Sequence, residues 1–74
     1  MKSLDSLQVG ESVKVVAVHG GHSALRRRLL DMGLTPDTDL CITRVAPMGD
    51  PIEVSLRDYS LTIRKAEAKL IEVE

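Results

Sequence analysis

Arg44-Val-Ala-Pro-Met-Gly-Asp-Pro-Ile-Glu-Val54 is the stretch on which the reading of this chain turns. Pro47, Gly49 and Pro51 cannot continue a helix or a central strand, since proline has no amide hydrogen and glycine has no side chain to pack. They separate two apolar runs, Leu40 to Ala46 and Ile52 to Leu56. The runs therefore read as two antiparallel strands joined by a stiff loop, Pro47 to Pro51. Each proline fixes its own φ and biases the residue before it, Ala46 or Asp50, toward extended backbone. Gly49 supplies a position that can take positive φ. A hairpin needs no such restraint at its tip, so the shape of this loop is itself a candidate for function.

Downstream, Ile52 to Leu56 alternates with Glu53 and Ser55 on the wet face, and Tyr59 to Ile63 alternates with Ser60 and Thr62. A turn at Arg57-Asp58 sets Leu56 opposite Tyr59, Val54 opposite Leu61 and Ile52 opposite Ile63. A slip by one residue would turn one apolar set to water, which selects this register. Asp58 tolerates positive φ and Arg57 does so poorly, leaving the turn type open. Arg64 to Lys69 reads as a helical turn and Leu70 to Val73 as a last short strand.

Upstream, the strand Asp39 to Ala46 is expected to put Leu40 and Ile42 on one side and Cys41, Thr43 and Val45 on the other. Before it, Ser23 is a suitable N-cap for a helix over Ala24 to Met32, where Leu25, Leu29 and Met32 share one face. Gly33 is expected to end that helix in the left-handed region, with Leu34 folding back on Leu29 and Pro36 enforcing the stop. His19-Gly20-Gly21-His22 is a loop. Ser12 to Val18 ahead of it reads as a strand buried largely on both sides. The sum is mainly β: about five antiparallel strands with one α-helix inserted after the first. A sheet this short sheds its exposed edges by curling into a small SH3-like barrel.

The chain has 74 residues, enough for a single domain over 1–74 with a thin core. That core must be aliphatic, because Tyr59 is the only aromatic residue. Ten basic residues against eleven acidic ones give no electrostatic case for nucleic acid. One aromatic ring supplies neither a base-stacking platform nor a groove for proline-rich peptides. Cys41 stands alone, so no intrachain disulfide forms and a reducing cytoplasmic setting is expected. No apolar run is long enough to enter a membrane, and Met1 to Asp5 lacks a signal-peptide apolar region. No nucleophile sits beside a base, no carboxylate pair has catalytic spacing and no phosphate loop is present. A protein-interaction module without enzymatic activity or cofactor is the class that remains.

Two surfaces are candidates for that contact. The first is the loop Pro47, Met48, Gly49, Asp50 and Pro51, which reads otherwise as a fold-closing turn. The second is the helix patch Arg26, Arg27 and Leu30. At about 100° per residue Leu30 points away from the Leu25/Leu29/Met32 face, and arginine beside an exposed apolar anchor is the composition of interface hot spots. Arg27 is placed to pair with Asp31 one turn on, and the plainer reading of the patch is a solvated helix face. A rival class is direct transition-metal binding by His19, His22 and Cys41, since two imidazoles and a thiolate suit such an ion. No fourth ligand has a diagnostic spacing, and loop histidines beside a small packed thiol explain the same residues. Exposed strand edges would also allow pairing between copies in a homo-oligomer.

Leu29-Leu-Asp-Met-Gly-Leu-Thr-Pro36, then Arg44-Val-Ala-Pro-Met-Gly-Asp-Pro-Ile52, then Arg57-Asp-Tyr59 and Leu61-Thr-Ile-Arg64 together resemble the FeoA family, and the likeness runs from Leu4 to Val73. Asp58 departs from it, standing where the family often has glycine before the tyrosine. The resemblance implies an SH3-like barrel, in agreement with the fold read from the residues. It also implies a small cytoplasmic accessory protein of bacterial ferrous-iron uptake, partnered with the inner-membrane permease and its cytosolic GTP-binding domain. It brings no metal-ligand set to this chain.

Overall fold

A computed structural model describes residues 2–74. Six strands and two helices follow in the order β1 (Lys2–Ser3), β2 (Ser12–Val18), α1 (Ala24–Asp31), β3 (Asp39–Val45), β4 (Ile52–Leu56), β5 (Tyr59–Ile63), α2 (Lys65–Ala68) and β6 (Ile71–Val73), with a 3₁₀ turn at Leu4–Ser6. All pairings are antiparallel, and the strands lie in the order β1-β6-β2-β3-β4-β5. Both halves of the sheet face one aliphatic core, built on Leu4, Val15, Leu29, Leu34, Ile42, Val54, Leu56, Ile63 and Ile71. This is the mainly β barrel with an inserted helix that the sequence predicts. The correction is in strand number: β1 adds a sixth, setting Lys2 and Ser3 opposite Val73 and Glu72. Two residues are too few to show an alternation.

The register at β4 and β5 is the predicted one, with Leu56 opposite Tyr59, Val54 opposite Leu61 and Ile52 opposite Ile63. Arg57 takes the positive φ of that turn, at 52°. Two bulges change the in–out pattern elsewhere, because one extra residue reverses every side chain beyond it. In β2 the pairing with β6 passes from Val15 opposite Val73 to Ala17 opposite Glu72. Val13, Val15 and Val18 consequently point inward while Val16 is exposed, so the strand is not buried on both sides. In β3 the pairing passes from Ile42 opposite Val54 to Arg44 opposite Glu53. Val45 thereby joins Leu40 and Ile42 against the core and leaves the side that Cys41 and Thr43 share.

Helix α1 begins and ends as its sequence dictates. The Ser23 Oγ accepts from the Arg26 amide at 3.1 Å. At the other end Leu34 N donates to Leu29 O and Gly33 N donates to Leu30 O, the paired bonds of a Schellman cap. Gly33 has φ of 102°, and the Tyr59 hydroxyl donates to the Met32 carbonyl at 2.6 Å. A Cβ on Gly33 would collide with that hydroxyl. The short helix α2 fills the helical turn expected over Arg64 to Lys69. The Glu67 carboxylate accepts from the Arg64 amide at 2.9 Å and meets Arg28 Nη2 of α1 at 3.3 Å.

Candidate functional site

The loop between β3 and β4 is held from several directions. Ala46 N donates to Pro51 O at 3.1 Å, closing the base, and Gly49 N donates to Ala46 O at 2.7 Å, closing the tip. Gly49 takes φ of 81°, the conformation for which glycine was expected here. The Asp50 Oδ1 accepts from the Lys65 amide at 3.0 Å. That amide is the first of α2, one of the donors a helix cannot satisfy internally. Asp50 therefore fastens the loop to α2. Met48 is the opposite case, with a side chain free in solvent and the residue 88% exposed. Beside the loop lies a cleft of about 290 Å³ lined by Arg44, Ala46, Pro51, Glu53 and Thr62. Arg44, Glu53 and Thr62 form one row across β3, β4 and β5.

The helix patch differs from expectation. Leu30 is half-buried and packs against the core, so it is no exposed anchor. Leu29 is the one buried residue of α1, and Leu30, the next step of about 100° round the helix, lies at the edge of that inward face. Arg26 is half-buried too, its Nε donating to the Val18 carbonyl at 2.9 Å. Arg28 is engaged with Glu67. Arg27 remains exposed, and it forms no ion pair with Asp31 among the described residues. A groove of about 410 Å³ runs along this face, lined by His22, Ser23, Arg26, Arg27, Leu30 and Asp31.

The candidate metal ligands are dispersed. His19 Nε2 lies 2.8 Å from Glu72 Oε1, at the ends of β2 and β6. His22 lines the helix groove. Cys41 sits mid-strand with its thiol toward the Ile42 carbonyl at 3.8 Å. Among the described residues no three His, Cys, Asp or Glu side chains gather as a metal-holding group. Nor is any helix long and apolar enough to cross a membrane.

Sequence reasoning missed four residues that position these surfaces: Lys65, Tyr59, Glu67 and Glu72. Only Glu67 carries a local signal, three places after Arg64 at capping-box spacing. The others act through partners distant in sequence.

The FeoA domain family matches residues 2–74. An Fe(2+) transport protein A/Fe(2+) transporter FeoB fusion protein from Porphyromonas gingivalis is 32% identical over 71 residues. That match takes in 96% of this chain, which spans only 8% of the fusion protein's length. The solution structure of a FeoA-like protein from Clostridium acetobutylicum is 44% identical, with a TM-score of 0.88 over 97% of this chain and 83% of its own. The zinc-complexed crystal structure of FeoA from Stenotrophomonas maltophilia, described as a prokaryotic SH3 domain protein, is 25% identical. It has a TM-score of 0.88 and covers all of this chain and 91% of its own. With the strand order, the capped helix and the restrained loop in place and the family match running over residues 2–74, this chain belongs to the FeoA family.

Proposed function

We propose that this protein is a non-catalytic accessory component of ferrous-iron uptake, acting at the cytoplasmic side by direct contact with the ferrous-iron transporter. One observation carries the reading: the FeoA–FeoB fusion relative has a domain like this chain and a transporter on a single polypeptide. Joining two modules raises their mutual effective concentration, an advantage to parts that work together. The ferrous ion in this reading is the transporter's cargo. The test is uptake by proteoliposomes holding the transporter from the same organism, with and without this protein. Added protein should change the initial rate of ferrous-iron entry or the rate of GTP hydrolysis. Rates that stay the same at saturating protein would defeat the proposal.

Direct metal sensing has one supporting observation, the zinc complex of the Stenotrophomonas maltophilia relative. Its weight here is less, because His19, His22 and Cys41 lie apart and His19 is already paired with Glu72.

A further inference from the structure

Of the two surfaces, the helix face is largely committed to the fold itself. Arg26 holds the end of β2, Arg28 holds α2, and Leu30 packs inward. The loop presents the reverse arrangement, a free apolar side chain on a fixed base. Among the described residues four large hydrophobic ones are exposed: Val9, Val16, Met48 and Tyr59, at 59%, 36%, 88% and 43%. Tyr59 has its hydroxyl bonded to Met32, and Val16 is the bulge residue of β2. Val9 lies in the turn before β2. The Val9 turn is likewise closed, by Glu11 N on Gln8 O, and fastened by Gly10 N on Ile42 O, but Met48 has the longer side chain and the greater exposure, and it projects from a tip held by the Gly49–Ala46 bond and the Asp50–Lys65 bond. Such pre-organisation lowers the ordering cost of binding, while the thioether side chain adapts to an irregular receptor.

We propose that Met48 is the anchor by which this domain seats on the transporter, entering an apolar pocket on the transporter's water-facing part. This rests on the accessory reading above. The occupant is chosen by shape and by the fusion relative. A convex apolar knob requires a concave apolar receptor, and the fusion relative identifies the transporter as the protein beside which such a domain works. The adjoining cleft carries Arg44 and Glu53, and Asp50 and Lys65 meet at the loop's base, so both signs of charge lie on this side of the barrel. An apolar centre inside a mixed polar rim is the anatomy of a specific interface, and a rim of both signs sets register rather than attraction.

The experiment measures affinity for the full-length transporter from the same organism in lipid nanodiscs, using wild type, Met48→Asp, Met48→Leu and Arg27→Asp. Met48→Asp should weaken binding about 30-fold or more, the scale of a hot-spot residue, and Met48→Leu should stay within about threefold of wild type. Arg27→Asp should bind as wild type does. Thermal midpoints of all four should agree, since both substituted positions are exposed. If Met48→Asp binds normally while Arg27→Asp does not, the anchor is wrong and the accessory reading survives. If Met48→Asp loses only association between copies of this chain, the pocket belongs to a second copy and the proposal is likewise overturned. Failure of the wild type itself to bind would overturn the contact on which both readings depend.

Discussion

At the scale of single residues, Gly33 and Tyr59 act as one unit. Gly33 is required twice, once for its φ of 102° and once because the Tyr59 hydroxyl occupies the space of a Cβ. Tyr59→Phe removes the bond to the Met32 carbonyl and should cost about 1 kcal/mol. In a domain of this size that lowers the thermal midpoint by roughly 4–8 °C. Gly33→Ala should cost more, since left-handed backbone alone costs an L-residue about 1–2 kcal/mol and the collision adds to it. The informative measurement is the double variant. Tyr59→Phe should cost less in the Gly33→Ala background than alone, because it removes the colliding atom. Equal costs in the two backgrounds would mean that the hydroxyl is not what the new methyl meets. Half of this unit was legible in the sequence: Leu29-Leu-Asp-Met-Gly-Leu34 declares a left-handed stop by local rules. The other half was not, because Tyr59 reaches Met32 from 27 positions away.

At the scale of elements, α2 is the dependent one. Four residues are too few to form a helix unaided, and the amides at its N-terminal end need side-chain acceptors. Asp50 supplies one to Lys65, and Glu67 supplies one to Arg64. Asp50→Ala should therefore destabilise the domain by about 1 kcal/mol, the usual worth of a cap, and speed hydrogen exchange at the Lys65 amide. Met48→Ala, two residues away, should stay within about 0.5 kcal/mol of wild type. Chemical denaturation of both variants checks the contrast, and a Met48→Ala loss as large as that of Asp50→Ala would show the tip to be structural. Glu67→Ala should cost about 1–2 kcal/mol, because its buried carboxylate serves both the Arg64 amide and Arg28. Arg28→Ala should cost less than about 1 kcal/mol, its own side chain being 62% exposed. The β4–β5 hairpin could be read from sequence because its alternation is unbroken and its turn is short. The bulges at Val16 and Thr43 could not. Each follows from how a strand must bend to keep two neighbours, and alternation counted along one strand holds no trace of the other.

At the scale of the whole molecule, the barrel determines which residues can meet. A sheet ordered β1-β6-β2-β3-β4-β5 places His19 beside β6, with its backbone on Leu70 and its ring on Glu72, while Cys41 lies between the strands β2 and β4. The sequence showed two histidines and a thiol without showing that the fold separates them, since proximity of this kind depends on topology. The separation bears directly on function. A ligand that binds only the native state stabilises it in proportion to the logarithm of its concentration over Kd. A ferrous site with Kd of about 10 μM, titrated to about 1 mM, would add roughly 2.7 kcal/mol and raise the midpoint on the order of 10 °C. With the candidate ligands dispersed, the midpoint of this protein should instead stay within about 1 °C across an anaerobic ferrous-iron titration, and the His19→Ala/His22→Ala variant should follow the same line. A flat titration would fit the proposed role of the fold as a rigid mount for a contact surface. A rise in the wild type that the double variant abolishes would place iron on the barrel itself and turn an accessory protein into a sensor.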